Sequence, residues 1–213
     1  MVLSMLFKKK RLGRRTSAVL TALQGAVARA IRSAGYDPPT TLDIGYVVPL
    51  RNHPGGLNIN ANLMLLRLPC NHRTYHERMM KIDKIFKTEY ALLVQLITYW
   101  MRLSALLPST SLQSTAKVGF GTFGPCIALS ITPTLLEREY VDGREIVDVF
   151  TGASMSLGIG MLINCGGVNG KQRFTFHFDK SVFRDEASAM KIAMFFEEEL
   201  TALNNLEPFP QSV

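Results

Sequence analysis

Residues 155–179 read MSLGIGMLINCGGVNGKQRFTFHFD. Met155 to Asn164 alternates apolar and small residues, Gly166 to Gly170 is turn composition, and Arg173 to Phe178 puts Phe174, Phe176 and Phe178 on one face, because successive side chains of a strand point to opposite sides. The two runs predict a β-hairpin. Beyond Asp179 a helix opens at Ser181 or Asp185 and runs to about Leu203, with Ala189, Ile192, Phe196 and Leu200 as its apolar stripe. Glu197, Glu198 and Glu199 fall outside that stripe and are expected to be a solvated face, not a metal site.

Working outward, Thr16 to Ser33 (TSAVLTALQGAVARAIRS) places Val19, Leu20, Leu23, Val27, Ala30 and Ile31 at helical spacing, and Gly35 with Asp37-Pro38-Pro39 stops the helix. Thr41 to Pro49 reads as a strand, residues 51–56 as a Pro/Gly loop, and Ala61 to Leu68 as a short buried strand. Thr74 to about Leu107 is helical and changes character near Tyr90: a charged first part, then ALLVQLITYWMRLSALL, apolar around most of its circumference. That second helix has two readings. It is a core helix packed on two sides, or it lies in a membrane interface with Tyr99, Trp100 and Arg102 at the headgroups. Lys117 to Ile131 and Arg144 to Val149, the latter after an Asp142-Gly143 turn, read as strands. Helices and strands mix without a regular βαβ rhythm, so the fold class is α+β, a mixed β-sheet covered by helices.

The chain has 213 residues, 47% of them hydrophobic, enough for one core or two small ones. The charge is lopsided. Residues 1–36 hold eight Lys and Arg and no acid, which leaves 16 basic residues against 17 acidic ones in the rest. One basic end does not make a nucleic-acid surface, since aromatic residues are not interleaved with it. Apolar residues precede these charges, the reverse of a secretory signal, while an Arg-rich, acid-free start leaves a mitochondrial leader open. Cys70, Cys126 and Cys165 are odd in number and far apart, which argues against a disulfide framework. No Cys/His ligand cluster is present; His72 and His76 share helical spacing but sit in an ordinary polar helix start. A GxxxxGK[ST] phosphate loop and a GxSxG elbow are both absent. None of the four histidines is marked by an orienting partner. The residues by themselves indicate no catalytic set and no metal.

The succession of elements carries more. A helix with TSAVLTALQGAV, a strand ending VVPLR, the segment LNINANLMLLRLP, a long charged helix, a strand with Phe123-Gly124-Pro125, the hairpin ending at Asp179-Lys180 and a closing helix with EEEL resemble the C-terminal lobe of the wax ester synthase / diacylglycerol acyltransferase family. Departures are visible: Gly121-Thr122-Phe123-Gly124-Pro125 stands where the family has Asn-Val-Pro-Gly-Pro, Thr16-Ser17 where it has Asn-Asp, and Asn164-Cys165-Gly166-Gly167 where it usually has Ser-Tyr-x-Gly. The family's HHxxxDG motif, whose histidine is the general base, occurs nowhere in these 213 residues.

The resemblance implies one lobe of the chloramphenicol-acetyltransferase-like two-lobed acyltransferase fold. Residues 16–206 would be the lobe, 1–15 a basic lead-in and 207–213 a tail, with an N-terminal lobe missing, as in a truncated gene model. It implies an O-acyltransferase that moves a fatty acyl group from acyl-CoA, a co-substrate, to a long-chain alcohol or diacylglycerol, without a bound cofactor and not active alone. Gly121, Gly124 and Pro125 would line the substrate tunnel. Lys8, Lys9, Lys10, Arg11, Trp100 and Arg102 are candidates for contact with a membrane surface, at the endoplasmic reticulum or a lipid droplet. A non-catalytic lipid- or membrane-surface-binding module is the alternative. A lone lobe is also expected to show a large apolar patch.

Overall fold

The computed structural model describes residues 2–6, 15–49, 55–56, 60–70, 74–88, 90–104, 106–114, 124–153, 158–183 and 185–205. The elements in chain order are β1 (Val2–Leu6), α1 (Arg15–Ser33), β2 (Thr41–Pro49), β3 (Ala61–Pro69), α2 (Tyr75–Thr88) and α3 (Tyr90–Ser104). A short helix α4 (109–114) follows, then β4 (Ile127–Thr134), β5 (Tyr140–Val141), β6 (Arg144–Glu145), β7 (Met161–Gly167), β8 (Lys171–Phe178) and α5 (Glu186–Asn205). Six strands form one mixed sheet in the order β1-β8-β7-β4-β2-β3. β4 runs parallel to both β2 and β7, and the remaining pairs are antiparallel. β5 and β6 make a separate two-stranded hairpin.

Alternation decides which face is covered. Leu42, Ile44, Tyr46 and Val48 of β2, Met64, Leu66 and Leu68 of β3, Ile127 and Leu129 of β4, Met161, Ile163 and Cys165 of β7, and Phe174 and Phe176 of β8 are all buried in one core. Onto that face α1 presents Val19, Leu20, Leu23, Ala26 and Val27, and α5 presents Ile192, Ala193, Phe196, Leu200 and Leu203. Phe196 sits edge-on to Phe174 and Phe176, with ring centroids 5.1 and 5.3 Å away.

Local chemistry sets the ends. Asp185 caps α5 by accepting the Ser188 amide at 2.7 Å, and Thr74 Oγ1 caps α2 by accepting the Glu77 amide at 3.2 Å. Gly35, at φ 84°, closes α1, while the Tyr36 amide reaches back to the Ile31 carbonyl at 3.2 Å. The β7–β8 hairpin turns at Asn169 (φ 55°) and Gly170 (φ 71°), the left-handed pair that a type I′ turn requires.

Several expectations need correction. Glu199 is not on a solvated face: it is 3% exposed, and its carboxylate meets Arg78 at 2.7 Å and Arg29 at 3.5 Å. Gly25 of α1 lies beneath this cluster, where a Cβ would collide with the Glu199 carboxylate and the Arg78 guanidinium. Helix α3 meets β3 and α2 but is not covered all round: Leu96, Tyr99, Trp100 and Leu103 form an exposed stripe. Strand pairing at 144–149 stops after Glu145, and Gly166 and Gly167 belong to β7 instead of the turn. The strand expected from Lys117 begins at Ile127 within the described residues, and 117–123 lie outside them. Val2–Leu6, read from sequence only as an apolar prelude to the basic cluster, pairs with β8 as an edge strand.

Candidate functional site

Because the helices cover one face of the sheet, function is sought on the other face and at the strand ends. On the second face the residues lie abreast in two rows: Gly45, Ala128, Leu162 and His177, then Val47, Ser130, Asn164 and Thr175. They are mostly small or polar. Asn164 is 7% exposed, yet its side-chain Nδ2 has no hydrogen-bond partner. A buried donor left unmade costs about 1–3 kcal/mol.

An extended stretch, residues 146–153, runs along β8 on this side. Arg173 forms a two-pronged pair with Asp148, the Asn169 side chain donates to the Ile146 carbonyl at 3.1 Å, and His177 Nε2 lies 3.4 Å from the Thr151 carbonyl oxygen. Arg173 draws the Asp148 carboxyl below its ordinary range, mainly by hydrogen bonding. The stretch leaves Val147 and Phe150 exposed. His177 has no described carboxylate to orient it as a base, and no group of three or more His, Cys, Asp or Glu able to hold a metal occurs among the described residues.

At the end of the sheet where β2, β4 and β7 begin, an apolar cavity of about 440 Å³ opens between α1 and α5. Val27, Leu42, Ile127, Met161 and Ile192 form its walls, and Cys126, Ser188 and Lys191 also line it. The Cys126 thiol lies 3.7 Å from the Asp43 carbonyl oxygen. Desolvation raises its pKa, which disfavours the reactive thiolate.

The residues singled out in the sequence are scattered over these features. Pro125 is buried and Gly124 half-buried, immediately before Cys126 and β4, while Gly121 and Lys8, Lys9, Lys10 and Arg11 lie outside the described residues. Trp100 is 64% exposed, and Arg102 is exposed beside it on α3; α3 is tied to β3 by the Asn62 amide donating to Thr98 Oγ1 at 2.6 Å. No described helix is long and apolar enough to cross a membrane. Asn164, the 146–153 stretch and the cavity were not singled out as functional. Asn164 had a signal, an amide interrupting the apolar run between Ile163 and Cys165; the cavity had none.

No protein-family model matches the sequence, and no curated protein matches it. Solved structures do. The chain is similar to the wax ester synthase/diacylglycerol acyltransferase from Marinobacter aquaeolei VT8, with TM-score 0.60, 15% identity, and coverage of 96% of this chain and 48% of that one. It is similar to the epimerization domain from the third module of tyrocidine synthetase B, with TM-score 0.57, 14% identity, and coverage of 96% and 47%. It is also similar to the starter condensation domain of rhizomide synthetase, with TM-score 0.53, 13% identity, and coverage of 99% and 48%. The fold is therefore that of one lobe of the condensation-domain and acyltransferase architecture, and the chain spans about half the length of these structures.

Proposed function

We propose that the chain is one half of an acyl-transfer enzyme of the wax ester synthase / diacylglycerol acyltransferase kind. The observation that carries this is the lobe itself: 96% of the chain superimposes on 48% of a wax ester synthase/diacylglycerol acyltransferase. In the reaction the hydroxyl oxygen of a long-chain alcohol or diacylglycerol attacks the thioester carbonyl of an acyl-CoA. A C–O bond forms, the C–S bond breaks, and the hydroxyl proton passes through a base to the departing thiolate. The HHxxxDG base is not in these 213 residues, so it belongs to a companion half. The polar second face of the sheet, with Ser130, Asn164 and Thr175, is the surface such a half would complete, and Gly121, Gly124 and Pro125 supply one wall of the tunnel between the two.

The test is acyl transfer from palmitoyl-CoA to hexadecanol by the purified chain, alone and with an N-terminal lobe of the family added. Ester is expected in the mixture only. Ester from the chain alone would overturn the assignment of the base to a companion.

A second reading has its own observation, the exposed Leu96, Tyr99, Trp100 and Leu103 stripe of α3. There the chain is a lipid-surface module, with Arg102 and the Lys8–Arg11 cluster adding attraction to anionic headgroups and the endoplasmic reticulum or a lipid droplet as its location. No ester in either assay, together with liposome binding abolished by Trp100→Ala, would favour it.

A further inference from the structure

The cavity between α1 and α5 is built for one kind of ligand. Its inner wall, from Val27, Leu42, Ile127, Met161 and Ile192, is apolar. A molecule carrying polar atoms along its length would lose their hydration there without gaining hydrogen bonds. Polar groups gather instead toward the exposed rim, where Ser33, Ser188 and Lys191 line the opening. The ligand that fits has an apolar body and one polar end.

Size narrows this further. About 440 Å³ lies within the ~300–1,000 Å³ of small-molecule sites. It is roughly three times the ~150 Å³ apolar cavity that accepts benzene, room for on the order of a dozen or more chain carbons. Charge at the rim selects the polar end. Lys191, on the first turns of α5, lines the opening, while the acids nearest it in sequence, Asp185 and Glu186, do not, and Asp185 accepts the Ser188 amide at 2.7 Å and the Ser188 hydroxyl at 2.8 Å. An anionic head therefore has a cation to meet.

We propose that this cavity is an acyl-chain pocket that takes a single saturated chain inward, with its carboxylate at Lys191. The pocket stands on its own geometry: a transferase lobe and a lipid-surface module would each carry it.

Titration of the full chain with dodecanoate and with dodecanol, followed by calorimetry, tests it. One dodecanoate is expected to bind saturably per chain. Ala34→Trp at the exposed rim should weaken binding by about tenfold or more, and Val182→Trp, on the opposite side of the mouth, should do the same if the first variant folds poorly. Trp100→Ala should leave it unchanged. Lys191→Gln should weaken dodecanoate and spare dodecanol. Absence of saturable binding overturns the proposal, as does binding that survives both rim variants or is lost with Trp100→Ala, which would put the chain on α3. Equal losses for dodecanoate and dodecanol in Lys191→Gln would overturn the carboxylate assignment. Because the readout is equilibrium binding, an inactive mixture in the transfer assay leaves this result intact, and a failed titration leaves the transfer assay intact.

Discussion

The same strands build two unlike surfaces. On the helix side, alternate residues are large and interlocked, as where Phe174 and Phe176 meet Phe196. On the other side, the positions between them are Gly45, Ala128, Ser130, Asn164 and Thr175, with one buried amide nitrogen unspent. The helix side is packed by bulky, interlocked side chains, although Gln24 Oε1 and Arg78 Nε there also lack partners, and the second side is built from small and polar residues, of which Gly45, Ala128 and Asn164 are buried. Between the two, the exposed stripe of α3 is a smaller instance of the same contrast: Thr98 faces in toward Asn62, while Tyr99 and Trp100 face out.

Breaking the helix side should have the largest effect. Glu199 joins α5 to α1 through Arg29 and to α2 through Arg78, and Arg29 and Arg78 also stack on Phe195 and Tyr75 at 4.3 and 4.7 Å. Glu199→Ala leaves the buried Arg78 guanidinium without its counter-ion, and a loss of about 3–5 kcal/mol is expected in urea denaturation. Replacing both partners, Glu199→Leu with Arg78→Met, should recover most of it, because the uncompensated charge is gone. A loss below about 1 kcal/mol in the single variant would mean that packing alone holds the helical layer.

The opposite sign is expected on the second face. Asn164→Leu removes a buried donor that nothing accepts from and adds apolar area, so the isolated chain should gain about 1 kcal/mol, read as a higher urea midpoint at unchanged slope. The same variant should lower acyl transfer when the companion half is present, since the amide is then missing from the completed surface. Destabilisation of the isolated chain would show that the amide is already satisfied, and the contrast between the faces would lose its sharpest instance.

How far the sequence reached follows the same division. Periodicity located the covered side well: Thr41–Pro49 is β2, the stripe Ala189, Ile192, Phe196 and Leu200 is buried on α5, and the break near Tyr90 separates α2 from α3. These are local patterns that report which residues turn inward. Pairings between distant segments leave no such trace. Glu199 looked solvated because its neighbours Glu197 and Glu198 are; its partner Arg78 is 121 residues away. Residues 146–149 alternate like a strand but are pinned by side chains, Asp148 to Arg173 and Asn169 to the Ile146 carbonyl, and not by a ladder. The cavity gathers residues from α1, β2, β4, β7 and α5, each unremarkable in its own segment. The order of elements did suggest a half-length lobe, and the fold comparisons agree with it.

The smallest effect concerns how residues 146–153 are held against β8. Arg173 hydrogen-bonds the Asp148 carboxylate, and the Val149 amide donates to the same side chain at 2.9 Å. Both hold the Asp148 pKa down, Arg173 foremost. A folded pKa below the unfolded value, about 3.9, means that the contact contributes fully above that value and fades as pH falls through the depressed folded one. Carboxyl NMR titration should therefore find Asp148 below the usual aspartate range, and Arg173→Gln should return it toward that range. Exchange of the Val149 amide should quicken in that variant at pH 6, with global stability hardly moved. An unshifted Asp148 would mean that the stretch is not fastened by this pair, and that Val147 and Phe150 are not presented on a fixed edge of the second face.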